Sequence, residues 1–121
     1  MKRLYAAAVQ DMLRKNLGIE ITIDSVPFKT RLQKMTDKDF QIVFAGWSPN
    51  YDDAMSYNDM FTTSNGNNHT SYSSEEYDNY IFSAKKEADP VKRIQMMYDA
   101  EKLLMEDMPI APVYFRKKDW A

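Results

Sequence analysis

"IEITIDSVPFKTRLQKMTDKDFQIVFAG", residues 19–46, decides how the fold is read. Ile19, Ile21 and Ile23 alternate with Glu20, Thr22 and Asp24. That period of two predicts a strand over 19–26 with one buried face. Pro27 opens a short helix, predicted over 28–36. "FQIVFAG", 40–46, is almost continuously apolar and rich in branched side chains, which predicts a central, parallel strand covered on both faces. The unit then reads strand–helix–strand, with a right-handed crossover.

Upstream, Tyr5, Val9, Met12, Leu13 and Leu17 share one face at helical spacing, which predicts a helix over 3–17. Gly18 serves as its left-handed stop. Downstream, "DDAMSYNDMF" is weakly helical and "TTSNGNNHTSYSS" reads as a polar loop. Ser73 and Glu76 have capping-box spacing and open a helix near 74–87. Asp89 and Pro90 read as an N-cap and first helical residue. The helix they begin carries Val91, Ile94, Met97, Tyr98, Leu104 and Met105 on a broad stripe. "PIAPVYF", 109–115, reads as a last strand, placed at an edge by its prolines. The expected fold class is α/β, a small mixed sheet with flanking helices. One more strand before the first helix would complete such a sheet, which suggests a truncated domain.

The 121 residues suffice for one modest core and not two. A net charge of −2 provides no basic field for nucleic acid or anionic membrane. The short basic runs at 85–86 and 116–118 read as solvated. Without cysteine there is no disulfide, thiolate nucleophile or Cys-based zinc site. No apolar run approaches membrane-spanning length, and Met1 leads straight into a helical pattern with no apolar signal core. The end at Trp120-Ala121 is abrupt, so the start fits either a short protein or a piece of a longer one.

"FAGWSPNYDD", 44–53, concentrates the candidate chemistry. Asp52 and Asp53 could form a catalytic carboxylate pair in a small acid hydrolase. Neighbouring residues point apart, however, and helix capping accounts for both. His69 lacks the partners of a triad or metal site, and Asn68-His69-Thr70 matches a glycosylation sequon. The nine methionines suit gap-filling in cores better than a soft-metal cluster, and three glycines cannot build a nucleotide loop. Gly46, Trp47, Ser48, Asn50 and Tyr51 combine flat aromatic faces with donors and acceptors at the end of a predicted strand. Trp47 fits either a plug at the edge of the core or the wall of a ligand cleft.

Several stretches together resemble the substrate-binding proteins of peptide ABC transporters. They are 9–23, "AGWSPNYDD" at 45–53, "GNNHTSYSSEEYDNYI" at 66–81 and "DPVKRIQMMYDAEKLLMEDMPIAPVYF" at 89–115, in matching order along the whole chain. The style is that of a Gram-positive oligopeptide-binding lipoprotein. The resemblance implies a two-lobe, periplasmic-binding-protein-like parent, several times longer, that closes on a peptide. Residues 1–121 would be a single domain, a fragment of its C-terminal lobe (lobe II). The parent would be an extracytoplasmic, membrane-anchored lipoprotein on the cell surface, with the anchor outside this chain. It would deliver short peptides to the transmembrane subunits of an ABC permease.

The resemblance further implies a non-enzymatic role with no cofactor and no metal site. Gly46, Trp47 and Ser48 border the cleft, with Asn50, Tyr51, Asp53, Asn67 and Asn68 as further ligand-binding candidates. An acid commonly stands three positions after the family's Trp, where it receives the peptide's α-amino group. Here that position is Asn50, which accepts a hydrogen bond without charge pairing, and Asp52 or Asp53 would have to substitute. Nickel, haem or sugar ligands are the alternatives within the family. The isolated lobe is expected to bind peptide weakly or not at all and, with a truncated sheet, to self-associate.

Overall fold

The computed structural model describes residues 2–117. Met1, Lys118 at the end of the basic run, and the Trp120-Ala121 terminus lie outside the described residues. Among the described residues five α-helices follow one another: α1 Lys2–Leu17, α2 Phe28–Thr36, α3 Met55–Asn58, α4 Glu75–Lys86 and α5 Pro90–Asp107. A 3-10 turn, Asp59–Phe61, extends α3. The chain divides into two compact units, parting between Trp47 and Ser48.

In the first unit, α1 stops where Gly18 takes the left-handed conformation at φ 65°. The Gly18 N–H then donates to the Arg14 carbonyl at 3.1 Å. The end of α2 uses a lysine in the same way. Lys38 has φ 57° and donates to Met35, while Asp39 donates back to Lys34 at 2.8 Å. This is a Schellman closure with a side chain where glycine is preferred. Side chains tie the intervening segments to the helices. The Gln10 amide donates to the Ile21 carbonyl at 2.8 Å, Lys34 pairs with Asp24, and Arg31 donates to the Phe44 carbonyl at 3.2 Å. Tyr5 stacks on Phe44 with ring centroids 6.3 Å apart.

The expected mixed sheet is overturned. No described residue lies in a β-strand, and no backbone hydrogen bond joins 19–26 to 40–46. Alternation marks which side chains would share a face, but a strand exists only where a neighbour completes its ladder. Here the segments flanking α2 have side-chain ties in place of a ladder. Ile19 and Ile23 remain 46% and 39% exposed. Ile42, expected to be covered, is 75% exposed. The third expected strand, 109–115, is likewise irregular, and its residues from 111 onward are exposed.

The second unit contains the core. Tyr77, Ile81 and Ala84 of α4 recur at spacings of four and three, and Met97, Ala100 and Leu104 of α5 at three and four. These two stripes, with Met55 and Phe61, form the buried cluster. The two alanines are small enough for α4 and α5 to approach closely. Tyr77 is fully buried, and its hydroxyl donates to the Asn58 carbonyl at 2.5 Å. Such a hydrogen bond contributes about 0.5–1.5 kcal/mol net. The broad stripe predicted on α5 separates into two faces. Met97 and Leu104 are buried, whereas Val91, Ile94 and Tyr98 are exposed.

Caps fix the start of each long helix in this unit. Asp89 accepts from the N–H groups of Val91 and Lys92 at 2.9 and 3.4 Å, as its Asp-Pro sequence predicted. For α4 the cap is Ser74, which accepts from the Tyr77 N–H at 3.1 Å. The predicted Ser73 lies one residue outside and shares a 3.0 Å hydrogen bond with Thr63.

Candidate functional site

Gly46 and Trp47 close the first unit, Gly46 exposed and Trp47 half-buried. Ser48, Asn50, Tyr51 and Asp53 open the second, in a non-helical turn that leads into α3. The turn is built from short-range bonds. The Asp53 N–H donates to the Tyr51 carbonyl at 2.9 Å, and the Asn50 N–H donates to Ser56 Oγ at 2.8 Å. Ser56 is itself buried, so Asn50 is held through its backbone while its side chain faces solvent.

Asp53 is the electrostatic centre of this turn. Its Oδ1 accepts from the Met55 N–H at 2.8 Å and pairs with Arg93 of α5 at 2.9 Å. The Arg93 hydrogen bond, followed by that from Met55, holds the Asp53 carboxyl below the usual carboxylate range. The same bond raises the Arg93 pKa. A carboxylate so engaged is a poor general acid, because protonation would break both bonds. Asp52, its neighbour, is exposed. The two aspartates therefore do not form a shared-proton pair. Asp53 is accounted for by its bonds to Arg93 and the Met55 N–H, while the N-cap of α3 falls on Ala54 and not on the expected aspartates.

Ser48 has a distant partner. Arg116 Nη2, in the irregular segment after α5, donates to Ser48 Oγ at 3.4 Å. Nothing in the sequence signalled this contact or the one between Arg93 and Asp53, since each joins residues far apart in the chain. Ser56 also went unrecognised, because a serine inside a short helix carries no local signature of its role.

Asn67 and Asn68 occupy a tightly bonded loop. Asn67 is exposed, and its N–H donates to Asn65 Oδ1 at 2.8 Å. Asn68 is buried, with its amide nitrogen directed at the carbonyls of Tyr72, Thr62 and Phe61 at 2.8, 3.1 and 3.4 Å. Its Oδ1 accepts from the Thr70 hydroxyl at 2.7 Å. This amide braces the loop, and a glycan on the same nitrogen would displace the brace. Asp78 of α4 clamps the start of the loop, accepting from the Thr63 N–H and hydroxyl at 2.9 and 2.6 Å. Among the described residues no hydrogen bond joins Asn67 or Asn68 to residues 48–53.

Elsewhere in the second unit an open groove is lined by Glu75, Glu76, Asn79, Tyr80, Ser83 and Met96, and none of the predicted site residues borders it. Among the described residues no group of His, Cys, Asp and Glu could hold a metal ion. No helix among them is long and apolar enough to cross a membrane.

Residues 1–69 match the sequence profile of the bacterial extracellular solute-binding proteins, family 5, middle region. The oligopeptide-binding protein OppA of Bacillus subtilis is 32% identical over 95% of the chain, and the dipeptide-binding protein DppE of the same organism is 36% identical over 91%. The chain spans only 21% and 20% of those two proteins. Among solved structures, the Escherichia coli murein tripeptide binding protein MppA superposes with a TM-score of 0.90 at 28% identity, over 93% of this chain and 22% of that one. An oligopeptide ABC transporter substrate-binding domain from Bacillus anthracis gives 0.82 at 37% identity, over 87% and 21%. Since the profile covers more than half of these 121 residues, the chain belongs to the bacterial extracellular solute-binding proteins of family 5.

Proposed function

We propose that this chain supplies one wall of a ligand cleft in an extracytoplasmic protein that captures short peptides for an ABC importer. The observation that carries this reading is the family match across 1–69, which contains the whole 46–53 stretch, together with relatives named for oligopeptide and dipeptide binding. The role is binding and not catalysis, in keeping with the engagement of Asp53 by Arg93 and the Met55 N–H. Gly46, Trp47, Ser48, Asn50 and Tyr51 contribute the wall, and an extended peptide uses main-chain groups there. Asn67, exposed on its own loop, is a further ligand-facing candidate, whereas Asn68 is buried and braces that loop. The chain is a fragment of the C-terminal lobe, the parent is a surface lipoprotein, and the permease subunits are met through that parent.

A chain with one wall should bind peptide at millimolar strength, because the contacts of an opposite wall and the closure step are absent. Isothermal calorimetry against a mixed peptide pool is expected to show no micromolar binding. Nuclear magnetic resonance titration with trialanine at millimolar concentration is expected to shift the amides of residues 46–53. Shifts confined to other regions would remove this stretch from the site.

A further inference from the structure

The candidate stretch contains two carboxylates and receives two guanidinium groups. Asp53 is committed to Arg93 and to the Met55 N–H, so its charge is already answered. Asn50 is neutral, and Asp52 is exposed to solvent. Arg116 differs from Arg93. Its partner is the neutral hydroxyl of Ser48 at 3.4 Å, and among the described residues no carboxylate pairs with it. Ser48 is half-buried and Arg116 exposed, so the guanidinium faces solvent beside the predicted wall. Lys117 follows directly. A guanidinium has five donors in a planar fork that fits a carboxylate in two-point fashion, and a single long bond to a hydroxyl uses one of them.

We infer that the lip at Ser48 receives a carboxylate of the ligand through Arg116, so that peptides are held there by an acidic group and not by a free amine. The inference rests on the proposed peptide-wall reading and specifies its charge preference. Ser48 donates its hydroxyl proton to the incoming carboxylate, and Arg116 turns two N–H groups from Ser48 to the same carboxylate. A free ammonium finds only the solvated Asp52 in this stretch. The carboxylate can come from a C-terminus or from a glutamate side chain, since both offer the same fork-matching geometry.

Four probes test this on the 121-residue chain by 15N-detected titration. They are N-acetyl-trialanine with a free carboxylate, its C-terminal amide, N-acetyl-Ala-Glu-Ala amide, and trialanine amide with a free amine. The free acid is expected to shift the Ser48 amide and the Arg116 Nε resonance, whereas the two neutral or cationic amides leave Arg116 Nε in place. A response to the glutamate probe alongside the free acid shows that a side-chain carboxylate also serves, and its absence confines the site to the C-terminus. Arg116→Gln is expected to weaken the free acid about threefold, the scale of an exposed charge pair, and Arg116→Lys less. An unmoved Arg116 Nε, or equal binding of acid and amide, overturns the inference while leaving the peptide wall standing. Failure of every probe to shift residues 46–53 overturns both.

Discussion

Asp53 and Arg93, 40 residues apart in sequence, meet at 2.9 Å and join the turn before α3 to the helix α5. The pair is partly shielded, each side chain being about 30% exposed. Asp53→Ala, which removes both the pair and the bond to the Met55 N–H, should cost about 1–2 kcal/mol. Asp53→Asn keeps an acceptor for that N–H and should cost about 0.5 kcal/mol. The folded-state pKa lies below the unfolded value, near 4. The stabilisation is therefore complete above about pH 4 and is lost as pH falls through the folded pKa. Urea titrations from pH 7 downward should show a shallower acid loss in Asp53→Asn than in the parent.

Tyr77 stabilises through both its ring and its hydroxyl. Tyr77→Phe retains the ring and removes only the hydroxyl's hydrogen bond to the Asn58 carbonyl, so a loss of about 0.5–1.5 kcal/mol is expected in chemical denaturation. Burial is the first cause that raises the Tyr77 pKa above its ordinary value near 10. Its contribution is therefore full below about pH 10 and lost as pH rises beyond it. Ultraviolet titration of tyrosinate should find Tyr77 ionising only with alkaline unfolding.

The Asn68 brace predicts that replacing its donor by an acceptor costs more than removing the side chain. Asn68→Asp places a carboxylate against three carbonyls and should be more destabilising than Asn68→Ala, itself costing about 1–3 kcal/mol. Thermal unfolding monitored by circular dichroism would rank them. The folded chain should also leave the Asn68 sequon unglycosylated by an oligosaccharyltransferase, as read by intact mass.

Lys38 sits where a left-handed residue closes α2. Lys38→Gly should stabilise the first unit by about 1 kcal/mol, because a side chain at positive φ is strained by about that much. Hydrogen exchange at the Asp37 and Asp39 amides, both bonded to α2 carbonyls, should slow in the variant.

Local signals were legible in the sequence. α2 spans the predicted residues, Gly18 stops α1, and Asp89-Pro90 starts α5, each depending on neighbours only. The choice of Ser74 over Ser73 was not legible. The two residues have the same chemistry, and the network of Thr63 and Asp78 decides between them. The sheet failed for a larger reason. Ile19, Ile21 and Ile23 alternate as predicted, but a ladder needs a neighbouring strand that periodicity cannot supply. At the candidate site the sequence located the turn before α3 but not its cap: Asp52 and Asp53 were expected as N-cap and first-turn acid, whereas the cap residue is Ala54 and Asp53, one residue earlier, accepts from the Met55 N–H. The guanidinium partners of Asp53 and Ser48 came from positions 93 and 116, with no spacing rule to find them.

The central claim is that the 46–53 stretch is a peptide-facing wall. Titrating the 15N-labelled chain with trialanine up to millimolar concentration, and following every backbone amide, tests it most directly. The account predicts saturable shifts concentrated at residues 46–53, with the α4 and α5 core amides unmoved. Saturable shifts that avoid 46–53, or none at any residue, would contradict it.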